Sequence, residues 1–444
     1  MGVKTLSARG RAPVTEARSP GQPGPKPGSD SEARSKGKSD GLVQIGTTLR
    51  KRAEHQMASE QERKWRPIIY WYLSFRCNLA CAHCSVSSSP WVDTSKDLNT
   101  EECLEVVRQM KDLNVRMAIL TGGEVLIRPD ILTILQALRE AGIVAAVETN
   151  GLRIDKPFLE LAKAMQDEGL LTVAISLDGG TAETHERLRG PRSFHRTVRG
   201  LRALAEAKVA FSVQCVINNA NIETIPNLYE LAEELYPYCT TVQWPVLNPL
   251  GRGVELVRDL GLKPENIHRM FETIKTYEET YSGVTRVKVP PAMIPPKYLS
   301  LVLKTEGMSC TTTCDFPLLG VLPDGNVSIC ALTRDQDDLQ FGNIRDTSIS
   351  LKKVWSETRM DMLRSKYLAS TDLQGICGDC VWQYTCKGSC RAWAYEEGHS
   401  FDAPFPICQA MDEADAFPKA YRVSLQNAAV VDAYRRMNVS SGCA

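Results

Sequence analysis

The chain has 444 residues, 43% of them hydrophobic, and 53 Lys and Arg balance 53 Asp and Glu. That length supports a large core shared between two domains, and zero net charge gives no bulk attraction to nucleic acid or an anionic membrane surface. No apolar run is long enough to span a bilayer, and no signal-peptide core is visible near the start, which points to a cytoplasmic chain with reduced thiols.

In chain order, residues 1–66 come first, with 14 Lys and Arg against 7 Asp and Glu and much Pro, Gly and Ser up to about Asp40. This composition predicts a disordered basic extension, either a solvated tail or an arm for an acidic partner. Strands are expected at Ile68–Leu73, Met117–Leu120, Val144–Glu148, Leu171–Leu177, Ala210–Ile217 and Thr241–Leu247. Helices are expected at Thr100–Asp112, with Thr100 as N-cap, and at Pro129–Ala141, Pro157–Gln166, Phe194–Ala207 and Ile222–Leu235. Six strands with helices between them predict an α/β fold with a parallel sheet and right-handed crossovers. The expected boundaries are 67–250 for this domain, 251–309 for a connecting helical segment, 310–410 for a cysteine-rich domain and 411–444 for a tail.

Cys77, Cys81 and Cys84 follow the first strand in the spacing C-x3-C-x2-C. Three thiolates in one short loop can hold three irons of a four-iron cluster and leave the fourth iron open for a ligand. A zinc site with His83 as fourth ligand is the alternative. Met117–Leu120 runs into Thr121-Gly122-Gly123-Glu124, where two glycines at a strand end allow a close backbone approach. A second field follows, with Cys310, Cys314, Cys330, Cys377, Cys380, Cys386, Cys390 and Cys408 making eight of the fifteen cysteines. Eight thiolates can supply two full sets of four; a zinc ribbon using Cys377 and Cys380 is the other reading. Cys103, Cys215, Cys239 and Cys443 fit no ligand spacing.

The cysteine loop followed one βα unit later by Gly-Gly-Glu resembles the radical S-adenosylmethionine (SAM) superfamily, and the spacing from Cys314 through Gly325 to Cys330, then C-x2-C-x5-C-x3-C and Cys408, resembles its SPASM extension. The resemblance implies a partial (β/α)6 barrel with its ligands at the carboxyl ends of the strands, and three 4Fe-4S clusters with SAM as cofactors. It makes Cys77, Cys81 and Cys84 the ligands of the SAM-binding cluster. Cys310, Cys314, Cys330 and Cys390 would hold one auxiliary cluster, and Cys377, Cys380, Cys386 and Cys408 the other. Gly122, Gly123 and Glu124 would receive the methionine amino group, and Asn150 and Ser176 would line the ribose and carboxylate, with Arg187 or Arg196 as carboxylate partner because its fork suits that task.

The chemistry so implied is reductive cleavage of SAM to methionine and a 5′-deoxyadenosyl radical, which abstracts hydrogen from a substrate, with the auxiliary clusters handling the substrate's electron. The resemblance favours a ribosomally made peptide as substrate, modified by crosslinking, with a flavodoxin or ferredoxin as electron donor and a separate leader-binding protein. The same chemistry on a small molecule (dehydrogenase, epimerase or decarboxylase) is the alternative, and a non-enzymatic iron–sulfur or zinc protein a third. Ala331 stands where sulfatase-maturing members of the family carry an Asp, which speaks against that subgroup, with Asp335, Asp337 and Asp338 as displaced candidates for the base. Gln243, Trp244 and Asn248 are candidates to face the substrate.

Overall fold

Strand β1, Ile68–Ser74, sets the pattern for the sheet. Ile69, Trp71 and Leu73 are fully buried, while Tyr70 and Tyr72, on the opposite face by the two-residue period of a strand, stack with ring centroids 6.1 Å apart. The computed structural model describes residues 66–298, 318–357, 359–363 and 372–425; residues 1–65, Cys310, Cys314 and Cys443 lie outside the described residues.

After β1 come helix α1 (Thr100–Asp112), β2 (Met117–Gly122), α2 (Ile131–Glu140), β3 (Val144–Thr149), α3 (Lys156–Asp167) and β4 (Leu171–Ser176). Then follow α4 (Ala182–Arg189), α5 (Phe194–Glu206), β5 (Phe211–Gln214), α6 (Ile225–Glu234), β6 (Cys239–Pro245), α7 (Gly253–Leu260), α8 (Pro264–Glu278) and β7 (Val284–Lys288). Strands β1 to β7 are parallel and neighbour one another in chain order. A sheet in which every crossover steps the same way curls toward a barrel; here β7 pairs only with β6, so the barrel stays open. The parallel (β/α)6 reading is met, with β7 as an added edge strand.

On the other side of β1 lie β8 (Leu318–Val321), β9 (Asn326–Ser328) and β10 (Gln340–Asn343). β8 runs parallel to β1, with Ile68 opposite Leu318 and Trp71 opposite Val321, and turns back into β9 through Gly325 at φ +86°. The described part of the cysteine-rich region, from Leu318 on, thus continues the barrel sheet. Tyr72, Val86, Leu322 and Ala331 form a buried apolar cluster across this seam, with Phe75 and Cys84 packed against it.

Two local expectations change. Helix α1 is capped by Asn99, not Thr100: the Asn99 side chain accepts from the Glu102 N–H at 3.0 Å, and the Glu102 carboxylate accepts from the Asn99 N–H at 2.8 Å. A reciprocal pair satisfies two orphan donors, which a lone threonine hydroxyl could not. β5 is shorter than Ala210–Ile217 because the Val216 N–H leaves the ladder to donate to Asp178 Oδ1 at 2.8 Å.

Candidate functional site

The cysteine loop leaves β1 at the carboxyl end of the sheet and is held there by backbone and arginine contacts. Cys77 N–H donates to Ser89 O at 3.1 Å and Ala82 N–H to Leu188 O at 2.7 Å. Arg252 reaches in from beyond β6, donating from Nε to Cys81 O at 2.8 Å and from Nη2 to Ser88 O at 2.6 Å. Gly251 beside it has φ +54°, and a Cβ there would lie 2.5 Å from Cys84 O. Sequence reasoning missed Gly251 and Arg252, because nothing local marks a residue about 170 positions away as a clamp on this loop.

Cys77, Cys81 and Cys84 all line one cavity of about 260 Å³, together with Gly122, Gly123, Glu124, Asn150 and Ser176. Leu79 N–H donates to Cys77 Sγ at 3.4 Å and Ser88 N–H to Cys84 Sγ at 3.3 Å. Burial pushes the Cys77 thiol up to about 12 and raises that of Cys81. Free thiols there stay protonated at neutral pH, and metal binding must release those protons. His83, the alternative fourth ligand for zinc, instead pairs its Nε2 with Asp178 Oδ2 at 3.1 Å. Three thiols lining one cavity together with polar groups fit a cluster that keeps one iron open to a small ligand.

The glycine pair has a packing role at the root of the cysteine loop. A Cβ on Gly122 would come within 2.4 Å of Ser74 O, and one on Gly123 within 2.0 Å of Arg76 O. Gly123 and Glu124 donate their N–H groups to those same oxygens, at 2.7 and 3.0 Å. The glycines therefore let β2 pack directly on the root of the cysteine loop. Glu124 is 2% exposed; its carboxylate accepts from Thr149 Oγ1 at 2.6 Å, Asn150 N–H at 2.7 Å and Leu126 N–H at 3.0 Å. Burial raises its pKa against these three donors. Asn150 Nδ2 in turn donates to Asn78 Oδ1 at 2.7 Å, so the ends of β1, β2 and β3 are tied into one wall.

Asp178, two residues past the end of β4, is fully buried and gathers several charged and polar groups. Arg189 Nε donates to its Oδ2 at 2.5 Å, His83 shares that oxygen, and Val216 N–H takes Oδ1. Burial alone would raise this carboxyl, but Arg189 and His83 outweigh it and hold it well below the usual range. His185 Nδ1 accepts from the Asp178 N–H at 3.1 Å, and burial with Arg189 nearby lowers its pKa to about 4. Arg187 and Arg196 are exposed on α4 and α5, and the arginine lining the cavity is Arg189. On α4 the side chains of residues 185, 188 and 189 turn inward and that of 187 outward, a distinction set by helix phase.

The lumen row of the barrel is polar. Thr121 Oγ1 donates to Glu148 Oε2 at 2.8 Å and Gln243 Nε2 to Ser212 Oγ at 3.1 Å. Asn248 lines the cavity. Trp244 does not: it is fully buried and donates from Nε1 to Tyr229 OH at 3.2 Å, on the helix side of β6.

Cys377, Cys380, Cys386 and Cys408 line a second, small cavity with Trp382, Phe405 and Phe417. Phe405 N–H donates to Cys377 Sγ at 3.2 Å and Trp382 N–H to Cys380 Sγ at 3.4 Å. Burial pushes Cys386 up to about 12 and Cys408 well above its ordinary value. Burial pushes the Cys330 thiol up to about 12, and Cys390 lies close enough to add to the rise. Four thiols around one apolar pocket, with backbone N–H groups on the sulfurs, fit a fully ligated cluster. Ala331 is 3% exposed in the apolar seam, whereas Asp335, Asp337 and Asp338 are exposed. Among the described residues all cysteines are free thiols, and no helix is long and apolar enough to cross a membrane.

Known proteins match this arrangement. Residues 71–232 match the family model of the radical SAM superfamily, and residues 310–381 match SPASM, an iron–sulfur cluster-binding domain. The AdoMet-dependent heme synthase of Methanosarcina barkeri is 28% identical over 363 residues, covering 77% of this chain and 95% of that protein. The mycofactocin maturase MftC of Mycobacterium tuberculosis H37Rv is 28% identical over 343 residues, covering 77% and 82%. Streptococcus suis SuiB bound to S-adenosylmethionine superposes with a TM-score of 0.59 at 17% identity, covering 79% of this chain and 78% of SuiB. The chain is a radical SAM enzyme, with iron–sulfur clusters and SAM as its cofactors. Within that superfamily it belongs with the members that carry a SPASM domain.

Proposed function

We propose that this enzyme matures a ribosomally made peptide, forming a crosslink by radical chemistry. In this reading Cys77, Cys81 and Cys84 hold the SAM-binding cluster, which with SAM supplies a 5′-deoxyadenosyl radical for hydrogen abstraction. The observation that carries it is one cavity in which the three thiols of a single loop meet Gly122, Gly123, Glu124, Asn150 and Ser176 at the strand ends. The protein's part is to place the substrate and keep water out. The loop is fixed by Arg252 and the Asp178 group, so the reacting region is held before substrate arrives. Glu148, with Lys288 in its field, gives the lumen a polar, partly buried face for a peptide side chain.

The peptide assignment draws on the likeness to MftC, named as a maturase, and on the fold shared with SuiB, which has been crystallised with its precursor peptide SuiA. Cys310, Cys314, Cys330 and Cys390 would hold the first auxiliary cluster, and Cys377, Cys380, Cys386 and Cys408 the second. The apolar seam from Cys84 through Tyr72 to Ala331 gives the electron a short packed path from the Cys330 side. A flavodoxin or ferredoxin would supply the first electron, a separate protein would present the leader, and a cytoplasmic setting would keep the thiols reduced for metal.

A second reading, the same chemistry on a small molecule, is favoured by the relatives named as heme synthase and Fe-coproporphyrin III synthase. Anaerobic incubation with SAM, reductant and either candidate precursor peptides or iron coproporphyrin, read by mass spectrometry, decides between them. A peptide that loses two hydrogens per crosslink supports the first reading; a decarboxylated porphyrin with unmodified peptides overturns it.

A further inference from the structure

Arg391 directly follows Cys390 and begins the helix Arg391–Gly398, yet it is 3% exposed. Nη1 donates to Phe401 O at 3.0 Å and Ala403 O at 2.7 Å, and Nη2 donates to Gly388 O. Gly388, whose carbonyl takes Nη2, lines the same cavity as Cys377, Cys386 and Cys408, and the Arg391 Nε is buried without a hydrogen-bond partner. Among the described residues these bonds all go to backbone carbonyls and none to a carboxylate. A cation taken out of water is unfavourable unless an anion compensates it. The groups around Arg391 that can become anionic are the thiols of Cys377, Cys386 and Cys408, on all of which its charge acts.

Resting on the reading that Cys377, Cys380, Cys386 and Cys408 hold the second auxiliary cluster, we propose that Arg391 is a charge-tuning residue of that cluster, the built-in counter-cation that raises its reduction potential. Four thiolates around the iron–sulfide core leave a net negative group, and accepting an electron makes it more negative. A fixed positive charge in an apolar pocket stabilises the reduced form more than the oxidised one, and net charge, hydrogen bonds to sulfur and burial are the levers that set such potentials. The lining of Trp382, Phe405 and Phe417 keeps the dielectric low, so the charge acts with little screening. Cys390, the preceding residue, belongs to the other proposed auxiliary set. An electron taken from the substrate would then come to rest beside Arg391.

The test uses the full chain, anaerobically reconstituted, in a Cys77→Ala/Cys81→Ala/Cys84→Ala background so that only auxiliary signals remain. Electron paramagnetic resonance is followed during a redox titration. Adding Cys380→Ala identifies the signal of the second cluster; if that change removes no signal, the ligand reading fails, independently of Arg391. With the signal identified, Arg391→Gln lowers the reduced-to-oxidised ratio at the wild-type midpoint at least tenfold, about 59 mV for a one-electron couple. Arg391→Lys, which keeps the charge, holds that ratio within about threefold. A fully loaded Gln variant with an unshifted potential overturns the proposal, as does a loaded Lys variant shifted as far as the Gln variant. If only the Lys variant takes up iron, at the wild-type potential, the charge requirement is upheld. If neither does while circular dichroism stays native, Arg391 is a strut of its loop and the proposal falls.

Discussion

Arg189 and Asp178 form a buried ion pair, Nε to Oδ2 at 2.5 Å, and the same carboxylate oxygen holds His83 from inside the cysteine loop. The pair thus links the end of β4 to the loop between Cys81 and Cys84. Removing one partner strands the other in the interior, which costs roughly 3–5 kcal/mol. Arg189→Met is expected to lower unfolding free energy by that order in urea titration and to loosen the loop, so that iron per chain after reconstitution falls. An Arg189→Met protein with wild-type stability and full iron would show that the pair holds nothing in place.

His185 gives this region an acid-sensitive signature. Its pKa is lowered from 6.5 to about 4, first by burial and then by Arg189, with Asp178 and Glu186 opposing. The unfolded chain therefore binds more protons between those values. Stability is fully present above about pH 6.5 and is lost as pH falls toward 4, on the order of 3 kcal/mol at 1.36 kcal/mol per unit. Urea titrations of the apo-protein at pH 7 and pH 4.5 should show this slope, and His185→Gln should flatten it over that window. An unchanged slope in the variant would mean that another group carries the acid limb.

Gly123→Ala places a methyl group 2.0 Å from Arg76 O. Backbone cannot yield as a flexible side chain can, so β2 must move off the root of the cysteine loop. The expected cost is about 1–3 kcal/mol, with SAM cleavage reduced by an order of magnitude or more and the auxiliary clusters retained. Normal cleavage by this variant would show that the close approach is dispensable.

Much of this architecture was legible in the chain. Residues such as Ile69, Trp71 and Leu73, or Ala145 and Val147, alternate with lumen residues closely enough to mark strands, and the cysteine spacings mark their loops. Asn99 was missed as a cap because its Glu102 partner makes the pair visible only when both are read together. Arg189 was missed in favour of Arg187 and Arg196 because three arginines on two short polar helices look alike until the phase of each helix is known. Arg252 and Gly251 carry no local signal at all; their task exists only once β6 lies beside the cysteine loop. Glu124 was singled out from the sequence and lines the cavity, but its hydrogen bonds to Thr149 and Asn150 are made by tertiary packing that no spacing reveals.

Cys380→Ala or Cys386→Ala is expected to remove the second auxiliary cluster alone. Formation of 5′-deoxyadenosine should persist, because the loop of Cys77, Cys81 and Cys84 has its own support, while substrate product collapses. Both are measured in one anaerobic assay; undiminished product would deny this cluster a required redox role.

The central claim is that the cavity bounded by Cys77, Cys81, Cys84 and Glu124 is the site of reductive SAM cleavage. It is tested most directly by measuring iron per chain and 5′-deoxyadenosine together, for the wild-type chain and for Cys77→Ala/Cys81→Ala/Cys84→Ala, under anaerobic reducing conditions. The account predicts about twelve irons and SAM cleavage for the first, and about eight irons with no 5′-deoxyadenosine for the second. Stoichiometric zinc without iron, or SAM cleavage surviving in the triple variant, would contradict it.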